Sequence, residues 1–533
     1  MVGDSSLHEA AALAVLWSQV RVLRTCVLIA ANGVTPTAWS KSRPLGALGL
    51  GLHMAVIAHA WSGHGPELFT VATLAALASL YQGLPYDVDN GGVFEVLVLV
   101  NLCAGFAFGD LEASLTSIRA IFTAVYAFAA VAKLNRGYMS LECSCATAFG
   151  CIFVDILLPS RLISCLGDVG IRIVMRAVQV AIVIVEFAIP VLVLSAWVRW
   201  GAYLDLIFHV ALGVFAFDFS LVGIACLPAF LVPCTGADAI AYFTTTPSAR
   251  VLALLAALSV LISLERTPQQ GVKFGIAHGC FFLIATLLAV SVFRAPGPFV
   301  QASLMDPIGP FLFDPSLVGL VSAGSFLLAL LNGSAPYLGL KTHNTWTMFS
   351  NLQVEGGQTN HLLIPAWQPF SFLKDSVMVL NSDVPAVRCF HNVSTLKCKS
   401  SLQAIAQAGR LSTAIHGNSP IGTHGGDGSL LPYCITYTQL RALVSGALLE
   451  QPDFFVEYLH PATLREADPP LPGTTGKTTA AVETMLGEER RRLVVCSGVV
   501  VEGDDRLVKP APLARRIGFS RSWLPDRRPV CCH

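Results

Sequence analysis

The sequence predicts an all-α polytopic membrane helical bundle of about nine spans followed by a small soluble α+β domain, and three observations carry that prediction. Of the 533 residues, 54% are hydrophobic and only 13% are charged, against roughly 25% charged in ordinary soluble domains. Apolar runs long enough to cross a hydrocarbon layer of ~30 Å recur up to Gly333. After Gly333 the composition shifts to turn formers and charges, with no run of bilayer length. The formal net charge is zero and the pI is near 7.2. Neither gives the electrostatic footprint of a nucleic-acid partner, and that class is set aside.

Residues 1–40 open with acidic side chains, and Arg21 and Arg24 interrupt the apolar run that comes next. A cleavable signal peptide wants a basic start and an unbroken core, so an amphipathic N-terminal segment or a poor first span is expected instead. Spans are expected at 44–61, 67–84, 93–109, 115–134, 171–197, 201–217, 248–264, 272–293 and 315–333. Two further stretches are ambiguous. Residues 219–233 contain Pro228 and read as a broken half-span, whereas 151–166 is interrupted by Asp155, Pro159 and Arg161 and reads as interfacial or re-entrant. Loop charges are too sparse to assign an orientation.

Residues 334–465 read as the soluble domain. SVMVL at 376–380 and YCITY at 433–437 have strand composition, as does RLVVCSGVVV at 492–501, and 437–450 has helical composition. From 466 to 533 the segments EADPPLPGTTGKTT and KPAPLARRIGFSRSWLPDRRPVCCH read as linker and partly disordered tail.

The chemistry-bearing residues concentrate in RAIFTAVYAFAAVAKLNRGY, residues 119–138. Arg119, Tyr126 and Lys133 fall at i, i+7 and i+14, on one helical stripe, which suggests a polar site inside the bundle. The competing reading needs no site: Arg119 and Lys133 sit near opposite helix ends and snorkel to the two interfaces. His209 lies in an apolar span with Asp205 one turn before it and Asp218 near the far end, a better site candidate than a lone core histidine. For His53 and His59 a structural role is expected. Glu95 and Glu186 are intramembrane acids that need basic or hydrogen-bonding partners, and Arg119, Lys133 and His209 are available.

Four further features carry weaker signals. Among the 15 cysteines, Cys143, Cys145 and Cys151 suit a bridge or a metal, but no histidine supports a zinc site at a suitable spacing and no metal is expected. Cys389 and Cys398 flank the sequon Asn392-Val393-Ser394, which would carry a disulfide and a glycan on a lumenal side. Gly473, Gly476, Lys477 and Thr478 resemble the end of a phosphate-binding loop but lack the leading strand and the spacing, so that reading is dismissed. The segment 336–365 holds Thr342, Asn344, Thr345, Ser350, Asn351, Glu355, Asn360 and His361 among apolar residues, and a hydrogen-bonded lid is favoured there over a ligand site.

YAFAAVAKLNRGYM at 126–139 resembles the signature of the vitamin K-dependent γ-carboxylase superfamily, also called the horizontally transferred transmembrane (HTTM) domain. EFAIP at 186–190, Arg199, and Phe208-His209 followed by FDFSLVGIACLPAFL are similar to its later helices, so the likeness covers roughly residues 40–235. The resemblance implies an HTTM-like transmembrane bundle over 41–235, and the apolar runs that follow it are expected to form additional transmembrane helices over 236–333. It implies a vitamin K-like quinol as cofactor and places the family's base on Lys133, with His209 and Glu186 assisting. Arg119 and Tyr126 would hold the cofactor. Burial disfavours an ammonium, so an embedded lysine is chemically suited to act as a neutral base. Two departures stand out. Asn90 is followed by Gly91 and Gly92 where the family commonly has Asn-His, and the large lumenal region that engages a protein substrate has no counterpart. The stretch at 336–365 is instead similar to a segment found after the membrane domain in bacterial and algal members. The expectation is a multi-pass membrane enzyme, carboxylase-like or quinol epoxidase-like, with the lipid bilayer and a lipid-soluble quinone as partners. The alternative is a non-enzymatic transporter or scaffold that keeps the bundle.

Overall fold

The computed structural model describes residues 90–141, 144–147, 150, 160–195, 197–213, 315–342, 345–347, 350–355, 359–365, 367–370, 376–384, 433–448, 451–459, 490–497, 499–503 and 505–508, and single positions 220, 223, 226, 227, 230, 373 and 387. The segment 1–40 and the spans expected at 44–61, 67–84, 248–264 and 272–293 lie outside the described residues. So do His53, His59, Cys143, Cys151, Asp218, the Asn392 sequon with its flanking cysteines, and Gly473 to Thr478.

The described helices of the apolar part are α1 (Asn90–Phe108), α2 (Leu111–Ala132), the single turn α3 (Arg136–Met139), α4 (Ser160–Val193), α5 (Val198–Gly213) and α6 (Leu317–Leu338). Among the described residues three stretches are long and apolar enough to cross a membrane: Leu111–Ala132, Val169–Val193 and Leu317–Leu338. Local chemistry sets their ends. Gly109 takes φ 80° between α1 and α2, and the Asp110 carboxylate then accepts from Ala113 N at 3.0 Å, capping α2. Ser316 caps α6 in the same way, accepting from Gly319 N at 3.0 Å. Gly167, at φ 59° and ψ −179°, breaks α4, so the apolar helix proper starts at Val169. α6 runs five residues beyond the boundary expected at Gly333 and ends at Gly339, φ 74°, where the amides of Gly339 and Leu340 return to Pro336 O and Ala335 O. Pro336 sits where the helix is already closing, which is why it does not stop it earlier.

The chain divides into two compact units, Met1–Ala127 with Val185–Leu331, and Phe128–Ile184 with Asn332–His533. In the first unit a chain of polar contacts ties α1, α2 and α6 together. Asn101 Nδ2 donates to Leu97 O at 2.7 Å, Ser322 Oγ to Asn101 Oδ1 at 3.1 Å and Ser117 Oγ to Ser322 O at 3.2 Å. Such bonds, with small residues at the contact, hold helices whose apolar surfaces gain little from leaving lipid. Gly105 allows the approach of α1 to α2, because a Cβ there would meet Ser114 Cβ at 2.7 Å.

The second unit contains a five-stranded antiparallel sheet built from β1 (Ser376–Ser382), β2 (Tyr433–Thr436), β3 (Phe454–Leu459), β4 (Arg490–Cys496) and β5 (Val499–Glu502), in the order β2-β1-β3-β4-β5. Alternation sends Val377, Val379, Phe454, Val456, Tyr458, Leu493 and Val495 to one buried face, where Leu440 and Val444 of α7 (Tyr437–Ala447) and Leu507 cover them. Away from that core, Arg492 pairs with Glu457 at 3.7 Å and lies 5.5 Å from the Phe455 ring. The α+β expectation thus describes this unit, but its end at 465 needs correcting. β4 and β5 lie within the stretch read as linker and tail, and β4 pairs with β3 through six residues, from Phe454 opposite Val495 to Leu459 opposite Arg490. A Pro-, Gly- and Thr-rich insertion separates β3 from β4 in sequence and conceals that the strand belongs to the sheet. Leu493→Ala is expected to destabilise this domain by about 3 kcal/mol, as a fully buried leucine in a central strand should. Denaturant unfolding followed by fluorescence measures it, and a cost near zero would place β4 outside the core.

Candidate functional site

In the first unit, three polar side chains meet in an apolar interior. The Tyr126 hydroxyl makes hydrogen bonds with both Asp205 Oδ1 and His209 Nε2. Asp205 and His209 sit one turn apart on α5, their nearest atoms 3.4 Å apart, and neither is exposed. Phe122 packs on Tyr126 with ring centroids 4.8 Å apart and on Phe230 at 4.9 Å, while Phe208 stands 5.5 Å from the His209 ring. Gly223 lies against that imidazole so closely that any Cβ there would collide with it. Glu186 and Cys226, both buried, are near enough for their charges to act on the Tyr126 phenol. Among the described residues Asp205 Oδ2 has no hydrogen-bond partner, which is unusual for a buried carboxylate oxygen. The arrangement can pass a proton between phenol, imidazole and carboxylate in surroundings that exclude water.

The second unit contains the turn that follows α2, and there Asn135 is the hub. Its Nδ2 donates to Ala132 O at 2.7 Å, closing the end of α2, and to Ser350 O at 2.5 Å. Its Oδ1 accepts from Tyr138 N at 2.8 Å, capping α3, and from Asn360 Nδ2 at 3.2 Å. Asn360 in turn donates to Asn351 O, accepts from Gln353 N, and receives Arg136 N on its backbone carbonyl, all at 2.9 Å. Asn351 adopts φ 55° and accepts from Cys145 N. Gly137 leaves room for these asparagines, since a Cβ there would stand 3.0 Å from Asn360 Nδ2 and 3.1 Å from Asn351 O. Glu355 accepts from Thr342 Oγ1 at 2.5 Å and Val354 N at 3.0 Å. Within this unit the polar segment is therefore a hydrogen-bonded clasp on the end of α2.

His361 completes the clasp. A carbonyl only accepts, so the 2.9 Å contact from Nε2 to Val131 O places the proton on Nε2. Nδ1 then accepts from both Leu363 N and Ile364 N at 3.0 Å. Burial lowers the pKa of His361, and the bond to Val131 O opposes that shift without cancelling it.

Of the residues singled out from sequence, Tyr126, Glu186 and His209 come together in the first unit. Asp205, read there only as a neighbour of His209, proves to be the third member of the hydrogen-bonded cluster; its i, i+4 spacing was the available signal. Arg119 is two turns from Tyr126, about 10 Å along α2, and pairs with Glu112 on the same helix at 3.3 Å. Lys133 belongs to the second unit, just past the end of α2. It is 3% exposed, with Nζ 5.9 Å from the Tyr138 ring centre, so it does not snorkel. Cys145 is disulfide-bonded, and among the described residues no group of three or more His, Cys, Asp or Glu could hold a metal. In comparisons with protein-family models, curated proteins and solved structures, nothing matches this chain.

Two outcomes are expected. Because folding lowers the His361 pKa, the clasp has its full stability above the ordinary imidazole value of about 6.5 and loses it as pH falls below that value. Amide exchange at Leu363 and Ile364, corrected for intrinsic rates, should accelerate on acidification in the wild type but show no such step in His361→Gln. Tyr126→Phe removes the hydroxyl that Asp205 and His209 share and should cost about 2 kcal/mol of stability. Thermal unfolding in detergent checks this, and an unchanged midpoint would mean the cluster does not bind its helices together.

Proposed function

We propose that the chain is a multi-pass integral membrane protein of about nine spans and an enzyme that handles protons inside its bundle, acting on a lipid-soluble quinol-type cofactor as the carboxylase resemblance implies. The supporting observation is the buried Tyr126–Asp205–His209 cluster. Intramembrane ionisable groups are costly to retain, and structural helix contacts here are made by Asn101, Ser117 and Ser322 without any charge.

The residues fit such a cofactor. Asp205 Oδ2 is an acceptor suited to a ring hydroxyl, and Phe122, Phe230 and Phe208 supply aromatic surface around Tyr126 and His209. A bound quinol would supply ionisable hydroxyls and reducing electrons. The protein's own contribution is proton management. The phenol has one proton and two partners, so it donates to one and accepts from the other. Donation to the Asp205 carboxylate leaves His209 to present a proton at Nε2 to the phenol oxygen, and reversal of both bonds moves a proton along the cluster. Glu186 biases that exchange through its charge. Lys133 is the base that the resemblance implies, and its role is tested separately from the cluster's.

The transporter or scaffold reading has one observation in its favour. Asn135, Arg136 N and Gly137 are fully used in building the clasp, which accounts for much of the Lys-Leu-Asn signature without chemistry. Turnover separates the two. Purified protein in air-saturated liposomes should consume a naphthohydroquinone with dioxygen as the oxidant, and His209→Gln and Lys133→Ala should each slow it by about 100-fold or more per folded molecule. Lys133→Ala should retain insertion and stability, because it removes a charge that is costly to bury. Absence of wild-type consumption would overturn the enzymatic reading, and full activity per folded molecule in Lys133→Ala would rule out the lysine as the base. A Lys133→Ala variant that unfolds early, with residual activity tracking the amount of folded protein, would make the lysine structural.

A further inference from the structure

The clasp carries a row of exposed apolar side chains with no structural role inside the unit. Leu362, Leu363, Trp367 and Phe370 are 52%, 72%, 65% and 46% exposed, whereas Gln368 between them is buried and bonds Val354 O. The row has a defined position. Leu362 N donates to Leu134 O at 2.8 Å, two residues past the end of α2, and Phe370 N donates to Leu338 O at 3.1 Å, the last residue of α6. Between these ties the His361 ring contacts both helix ends. Its Nε2 bonds Val131 O in the last turn of α2, and its centre lies 5.6 Å from the Tyr337 ring in the last turn of α6. The segment 362–370 is thus strung across the place where two membrane-length helices terminate together.

We propose that Leu362, Leu363, Trp367 and Phe370 form a membrane-interface anchor that inserts into the headgroup and upper acyl region of the lipid bilayer. Two arguments select lipid as the occupant. The surface is continuous with the ends of helices suited to cross a membrane, so it lies at the depth where those helices emerge. Its composition, leucines with a tryptophan and a phenylalanine and no charge, is that of an interfacial belt. Insertion would hold the clasp at a fixed depth and keep the Asn135 hub at the edge of the hydrocarbon. Arg136, on the turn beside the anchor, suits the headgroup level.

The inference rests on the membrane reading and is independent of the enzymatic one. The wild type and Trp367→Phe are reconstituted into phosphatidylcholine liposomes containing lipids brominated at shallow or deep acyl positions, and the difference between their emissions isolates Trp367. That difference should be quenched more strongly by shallow than by deep bromines and hardly at all by aqueous acrylamide. Quenching by acrylamide with no effect of bromolipid would overturn the anchor, as would stronger quenching by deep bromines. Failure of both proteins to enter liposomes, with tryptophans insensitive to any bromolipid, would instead overturn the membrane reading. Trp367 is exposed, so the variant should fold, and equal circular dichroism of the two proteins confirms it. As a second arm, Leu363→Asp should make the Trp367 signal accessible to acrylamide by expelling the row from lipid.

Discussion

The carboxamide of Asn135 is where the local constraints of the second unit meet. The end of an α-helix leaves backbone carbonyls without partners, and the start of the next leaves amides without acceptors. Only an amide side chain offers two donors and an acceptor with two lone pairs in one plane. Asn135 spends both donors on Ala132 O and Ser350 O and both lone pairs on Tyr138 N and Asn360 Nδ2. An aspartate would bring negative charge against two carbonyls, and a leucine would leave four groups unmet. This one residue sets the end of α2, the turn α3, the seating of Ser350 and Asn360 and, through the bridge to His361, the position of the apolar row.

The first unit meets the same physical problem differently. Its structural polar contacts are neutral, through asparagine and serine, and sit between helices. Tyr126, Asp205, His209 and Glu186 bring four of its ionisable groups together, while Glu95 is buried on α1. The Tyr126 bonds to Asp205 and His209 also join α2 to α5, so the same groups tie helices together and are able to exchange protons.

Legibility in the sequence followed the range of the interactions. Long apolar helices are written locally, so α1, α2, the apolar part of α4 and α6 were readable to within a few residues at most boundaries. The strands around Val377, Ile435 and Leu493 were readable from alternation, but the membership of β4 in the sheet was not, because its partner β3 lies across a polar insertion. The site was half legible. His209 and Tyr126 stood out as polar groups in apolar runs, and Asp205 was visible by spacing. Of the stripe Arg119, Tyr126 and Lys133, Tyr126 lies in the buried cluster, and Arg119, two turns before it on α2, pairs with Glu112. The role of Asn135 was hidden, because nothing local shows that a residue between two helices will also meet partners at Ser350 and Asn360, more than 200 residues downstream.

In the function proposed above, the Tyr126–Asp205–His209 cluster receives a quinol-type hydroxyl and exchanges protons with it. Nitrogen NMR of the protein in bilayers, with isotope-labelled histidine and the His209 signal assigned by its loss in His209→Gln, observes the site without requiring turnover. With no ligand the account predicts a protonated Nε2 in a strong hydrogen bond. Saturating naphthohydroquinone should shift that resonance, and Asp205→Asn should abolish the response. A His209 resonance unmoved by the quinol at any loading of the bilayer would contradict the account.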